Sequence, residues 1–317
     1  MLNQNQDILT RALKWLNAGH GVLLYTVVNT WGSSPRPPGS IMILRDDGQV
    51  AGSVSGGCIE DDLILRLKNE GLPANPSIVS YGVKADEARR FGLPCGGTMR
   101  LVQEPLAGAT AIKDLSRVLS MLEQGHIVTR TLCLNTALVS QAIARDNDVL
   151  QCDENEFIAV FGPRYRLLII GAGQIGELLS QIAISLDFAV TICDPRTEYH
   201  SEWAVANTHL VTTMPDDTVI EMQMDSRTAV VALTHDPKLD DMALMEALAS
   251  PAFYIGALGS KVNNDQRRER LLEFDLNQAQ IAQLHGPAGL DIGSHTPAEI
   301  AVSIAAELVA AKNQRLQ

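Results

Sequence analysis

Two cysteines stand beside glycine pairs, in Gly56-Gly57-Cys58 and in Cys95-Gly96-Gly97, 37 residues further on. A thiol at the start of a helix has its thiolate favoured by the helix dipole, which raises nucleophilicity and metal affinity. Thiolate is a soft ligand that suits a thiophilic metal, and small neighbours let a ligand approach the backbone. The stretch Gly52-Ser53-Val54-Ser55-Gly56-Gly57-Cys58-Ile59-Glu60 therefore reads as a ligand-binding turn with Cys58 as metal contact. Pro94-Cys95-Gly96-Gly97 reads as its counterpart on the same pocket. Cysteine is also a common small core residue, so both readings stand for Cys58 and Cys95. Core filling is expected of Cys133, Cys152 and Cys193. No Cys-x-x-Cys pair occurs, which argues against a zinc ribbon. Five cysteines in a long chain read as reduced thiols of a cytosolic protein.

A second glycine-rich turn, Gly171-Ala172-Gly173-Gln174-Ile175-Gly176, matches the dinucleotide fingerprint G-x-G-x-x-G. It follows an apolar strand pattern and opens a helical one, and Asp194 lies 18 residues past Gly176. In such a turn one glycine makes the bend, one lets backbone approach a pyrophosphate, and one packs helix on strand. The helix N-terminus offers free N–H groups to phosphate, and Asp194 is placed to accept from ribose hydroxyls. Arg36, in a loop with three prolines, is a candidate clamp for an anion. Thr234-His235-Asp236 reads mainly as a helix-capping turn, with His235 an acid/base candidate. Lys261 is a candidate phosphate contact, and the run Arg267-Arg268-Glu269-Arg270 reads as a solvated helix face. No G-x-S-x-G, H-E-x-x-H or P-loop is present, and no catalytic residue is assigned.

The elements that carry these groups fall into two halves. Residues 1–162 show a helix at 7–16, strands at 21–31, 41–44 and 49–54, a helix at 59–69, a strand at 98–103 and a helix at 111–124. Short strands then run to Val160. Residues 163–317 change to a strand–helix–strand rhythm. Strands are expected at 166–170, 189–193, 228–233 and 253–255, with helices at 175–186 and 239–248. A last helix is capped by Thr296, Pro297 and Glu299. Strands that are apolar on both faces belong to parallel sheets covered by helices. The fold class expected is α/β: an N-terminal α+β domain followed by a doubly wound parallel-sheet domain.

Composition narrows the function. The 317 residues carry a net charge of −12, which argues against general nucleic-acid binding. There is no apolar run of about 18 residues and no basic n-region with an apolar stretch, so neither a membrane span nor a signal peptide is expected.

Three separated motifs carry a family resemblance: Gly52 to Glu60, Pro94 to Gly97, and Leu290-Asp291-Ile292-Gly293 with Thr296-Pro297-Ala298-Glu299-Ile300-Ala301. Together they resemble the XdhC/CoxI family over nearly the whole chain. The segment His285-Gly286-Pro287-Ala288-Gly289 departs slightly from the more usual His-x-Pro-Ile-Gly, and Ser294 replaces a common alanine. The resemblance implies an XdhC/CoxI-type domain at 1–162 and a Rossmann-like domain at 163–317. It implies a cytoplasmic, non-enzymatic chaperone that binds molybdenum cofactor, as molybdopterin or its cytosine dinucleotide. Such a chaperone protects the cofactor during sulfuration and inserts it into an apo-molybdoenzyme of the xanthine dehydrogenase/aldehyde oxidoreductase type. A cysteine desulfurase, a molybdenum cofactor cytidylyltransferase and a second copy of the chain are the further partners implied. On this reading Cys58 lies nearest molybdenum and Cys95 next, beside Gly56, Gly57, Gly96, Gly97 and Arg36. Gly171, Gly173, Gly176 and Asp194 hold the nucleotide or pyrophosphate portion. The competing readings are an NAD-dependent oxidoreductase and a nucleotide-sensing regulatory module.

Overall fold

The computed structural model describes residues 4–31, 36–82, 98–145, 148–163, 165–201, 203–274 and 276–314. The chain forms two compact units, Leu2–Gly162 and Pro163–Gln317.

In the first unit, α1 (Gln4–Asn17) buries Ile8, Leu9, Ala12 and Leu16, the single stripe that helical periodicity predicts. There follow β1 (Val22–Trp31), β2 (Ile41–Arg45), β3 (Val50–Gly52), α2 (Cys58–Glu70), β4 (Ser77–Tyr81), β5 (Thr98–Leu106) and α3 (Gly108–Glu123). The unit ends with β6 (Val128–Cys133), β7 (Val139–Ile143), β8 (Gln151–Cys152) and β9 (Glu156–Phe161). One antiparallel sheet runs β3-β2-β1-β5-β4, and a smaller one runs β7-β6-β9-β8. Alternation along β1 sends Leu24 into a core shared with α1, α3, β6 and β9, and Leu23, Tyr25 and Val27 into a core under α2. Thus α2, which starts at Cys58, covers the sheet face opposite α1 and α3.

The second unit contains β10 (Tyr165–Ile170), α4 (Gln174–Ser185), β11 (Phe188–Cys193), β12 (Thr208–Val211), α5 (Pro215–Glu221), β13 (Thr228–Ala232) and α6 (Pro237–Leu248). It continues with β14 (Tyr254–Ala257), α7 (Lys261–Leu272), α8 (Gln278–Ile281), β15 (Leu284–His285) and α9 (Pro297–Lys312). The strands form one parallel sheet in the order β12-β11-β10-β13-β14-β15. Helices α4 and α9 cover one face, and α5, α6 and α7 the other. This is the Rossmann-like, doubly wound arrangement expected of continuous apolar runs. Sites in such sheets lie outside the carboxyl ends of the strands.

Local signals hold at the helix starts. Asp236 caps α6 through Lys238 N at 2.9 Å, and Thr296 and Glu299 form the capping box of α9. Two expectations are corrected. Arg267 is buried, not solvated: it binds Asp241 at 2.9 Å and Asp240 at 3.1 Å, and Arg270 also pairs with Asp241. The acids come from α6, a neighbour that the periodicity of α7 alone cannot reveal. Cys193 is buried as expected and Cys152, half-buried, packs against the core of α1 and α3, but Cys133 is half-buried at the end of β6, outside the core clusters.

Candidate functional site

The early glycine turn is organised by Glu60. Its carboxylate accepts from the backbone N–H groups of Val54, Ser55, Gly56 and Gly57 at 2.8–2.9 Å, and from the hydroxyls of Ser53 and Ser55. Glu60 stands at the third position of α2, where a carboxylate reaches back over the helix start. Partial burial pushes its pKa up, but the serine hydroxyls and turn amides outweigh this and bring it down to about 2. Gly56 has φ +92°, a left-handed value that favours glycine. Among the described residues, a Cβ at either Gly56 or Gly57 would meet no atom within 4 Å.

The turn delivers Cys58 to the first position of α2; its side chain lies outside what the structure describes, as do Cys95, Gly96 and Gly97. Arg36 is half-buried at a bend before β2.

The later glycine turn joins β10 to α4, at the carboxyl edge of the parallel sheet. A Cβ on Gly176 would stand 2.4 Å from the Gly171 carbonyl oxygen, so only glycine lets α4 pack this close. Gly173 is the N-cap, and among the described residues a Cβ there would meet nothing within 4 Å. Asp194, at the end of β11, is fully buried. Its Oδ2 accepts from Ala172 N at 2.8 Å, and Arg196 grips both of its oxygens at 2.8 Å. Burial raises its pKa, and the Arg196 and Ala172 hydrogen bonds bring it net below the ordinary range. Asp194 therefore braces the turn, while Arg196, stacked on Tyr199 with 4.1 Å to the ring centroid, is partly exposed beside it.

Further along the same edge, His235 follows β13 with φ +61° and is exposed. Lys261 is exposed at the start of α7. At the end of β15, His285 pairs with Glu307 of α9. Sequence patterns assign no role to Arg196 or Glu307, and they place Glu60 and His285 only within segments of the family resemblance. Glu60 carries a signal, three residues past Gly57 in a capping-box position; Glu307 carries none, because its partners are remote in sequence.

The first unit also holds a cavity of about 540 Å³, lined among others by Glu104, Asp114, Arg117, Arg130, Leu138 and Gln141. It lies against α3, on the sheet face away from α2. At its floor Arg130 binds Glu104 through Nη1 at 2.9 Å and Asp114 through Nε at 2.9 Å. Among the described residues no group of three or more His, Cys, Asp or Glu side chains is placed to hold a metal ion. No described helix is long and apolar enough to cross a membrane.

Comparison with known proteins gives this geometry a context. Residues 15–82 match the XdhC and CoxI family, and residues 167–308 match the XdhC Rossmann domain. A probable xanthine dehydrogenase subunit from Bacillus subtilis is 26% identical, over 90% of this chain and 92% of its own. The molybdenum cofactor insertion chaperone PaoD of Escherichia coli is 28% identical, over 98% of this chain and 90% of its own. A crystal structure of a xanthine dehydrogenase from Bacillus halodurans superposes with a TM-score of 0.73 at 27% identity, covering 100% of this chain and 97% of that one.

Proposed function

The chain belongs to the XdhC and CoxI family and carries its Rossmann domain, and from that premise we propose that it is a molybdenum cofactor insertion chaperone for an enzyme of the xanthine dehydrogenase type. The observation that carries the reading is the near full-length similarity to the insertion chaperone PaoD, across both units. The geometry supports it. A phosphorylated pterin with a soft metal needs amide donors for its phosphate and a thiolate for its metal. Gly171, Gly173 and Gly176 build an amide-bearing turn with open space at Gly173. Gly56 and Gly57 build another, with Cys58 at the head of the following helix.

In this reading Cys58 is the contact nearest molybdenum, with Cys95, Gly96, Gly97 and Arg36 around the same guest. The Gly171–Gly176 turn holds the nucleotide or pyrophosphate part, and Asp194 acts by bracing that turn. The cargo is the cytosine dinucleotide form, sheltered during sulfuration. The chain works in the cytoplasm as a homodimer, receives its cargo from a cytidylyltransferase and a cysteine desulfurase, and has no catalytic turnover of its own.

Purified protein loaded with released cofactor tests the proposal. Near-stoichiometric retention and activation of an apo-molybdoenzyme are expected, with retention at least tenfold weaker in Cys58→Ala. Retention of NAD with hydride transfer, and none of the cofactor, would refute the reading. Unchanged retention and activation in both Cys58→Ala and Cys95→Ala would refute the thiol assignment alone.

A further inference from the structure

His285 is the last residue of β15, the edge strand of the parallel sheet. Its Nδ1 lies 2.9 Å from Glu307 Oε1. A carboxylate only accepts, so Nδ1 carries a proton and Nε2 is left without a hydrogen-bond partner among the described residues. The imidazole is held from several sides. Tyr254 of β14 stacks on it at 4.6 Å between ring centroids, with 25° between planes. The Tyr254 hydroxyl and the Gly289 N–H both donate to Glu307 Oε2 at 2.5 Å. From α7, Arg268 donates to the carbonyls of Leu284 and Gly286 and fixes the backbone on both sides of the ring.

Glu307 is thus buried with three donors on it, and it keeps its charge: burial pushes its pKa up, while His285, Tyr254 and Gly289 bring it net below the usual range. The side chain of His285 is 31% exposed. A buried anion that fixes one ring nitrogen and leaves the other accessible is the arrangement that orients a histidine toward a ligand. The setting agrees. His285 shares the carboxyl edge of the sheet with the Gly171–Gly176 turn, three strands away, about 14 Å at about 4.8 Å per strand. The loop after it exposes Leu290 and Ile292, apolar surface next to the imidazole's own segment.

We propose that His285 is a second ligand contact of this unit: oriented by Glu307, the imidazole presents Nε2 to a polar group at the far end of an elongated phosphorylated ligand whose phosphate rests on the Gly171–Gly176 turn. This rests on the functional reading above, in which that ligand is the molybdenum cofactor. Glu307 is then a positioning residue. The charged or titratable groups that face the ring or its backbone are Glu307 of α9, Tyr254 of β14, and Arg268 of α7 with its partner Asp265. Glu307 is the acid among them in direct contact with the ring.

Full-length protein is titrated at pH 7 with released molybdenum cofactor, and separately with inorganic pyrophosphate. Cofactor affinity is expected to be about tenfold weaker in His285→Ala than in wild type, and intermediate in His285→Gln, whose amide can still meet a polar group. Pyrophosphate, which reaches the turn only, should bind wild type and His285→Ala within about twofold. Glu307→Gln should weaken cofactor affinity toward that of His285→Ala; if it does not fold, His285→Gln decides. Wild type and His285→Ala with equal cofactor affinities would overturn the proposal while leaving the functional reading intact. Wild type that retains no cofactor overturns both.

Discussion

Ala172 donates its backbone N–H to Asp194 Oδ2 at 2.8 Å, so the acid that ends β11 braces the turn that ends β10. Arg196 closes over the same carboxylate. Asp194→Ala would leave the Ala172 N–H and the Arg196 guanidinium without their partner. Breaking a buried charge pair costs about 3–5 kcal/mol; the partial exposure of Arg196 sets the expectation at about 3 kcal/mol. Urea unfolding at pH 7 measures it, and pyrophosphate affinity should fall in the same variant. A loss under about 1 kcal/mol would mean that the brace is not holding the turn.

Glu60 plays the same part for the early turn, and it does so in a pH-dependent way. Its folded pKa is depressed to about 2. A depressed carboxyl stabilises the fold fully above its unfolded value, and that contribution is lost as pH falls toward the folded one. The contribution is therefore complete above about pH 5 and disappears between about pH 4 and about pH 2. About two pKa units correspond to roughly 3 kcal/mol. Glu60 is about half solvated, so screening reduces this to about 1–2 kcal/mol. The difference in unfolding free energy between wild type and Glu60→Gln, measured at pH 7 and pH 2.5, should shrink by most of this amount. An equal difference at both pH values would contradict the carboxylate–amide account.

Gly176→Ala tests whether the later turn depends on close backbone approach. The added methyl carbon would sit 2.4 Å from the Gly171 carbonyl oxygen, and backbone cannot yield without opening the turn. Overpacking of this kind costs about 3 kcal/mol. Lower thermal stability and weaker pyrophosphate binding are expected together. Gly173→Ala, where the methyl meets open space, should fold as wild type and weaken pyrophosphate binding alone. Equal stability of Gly176→Ala and wild type would show that the helix can move away.

Local patterns make most of the fold legible. Apolar runs mark β10, β11 and β13, and the Thr296–Glu299 box marks the start of α9. What stays hidden depends on partners remote in the chain. Arg267 reads as solvated because Asp240 and Asp241 stand on another helix. Asp194 reads as a ribose contact because the fingerprint gives spacing, while the inward bond to Ala172 is set by where β11 ends. His285 and Glu307 lie 22 residues apart and meet only because β15 pairs with β14 and α9 packs behind them.

Arg130 offers a test of the first unit's interior. Its guanidinium, 1% exposed, serves both Glu104 and Asp114, which are 5% and 10% exposed. Two buried carboxylates share one cation, so the cluster carries an excess negative charge and depends on Arg130 more than on either acid. Arg130→Met should cost about 3–5 kcal/mol, mostly because two anions are left without a counter-ion. If that is the cause, neutralising the anions should repair it. The triple variant Arg130→Met, Glu104→Gln, Asp114→Asn should recover at least about half of the loss in urea unfolding. A loss tied to the shape of the arginine stem alone would instead persist in the triple variant. A triple variant as unstable as Arg130→Met would therefore reject the charge account and point to packing around β6.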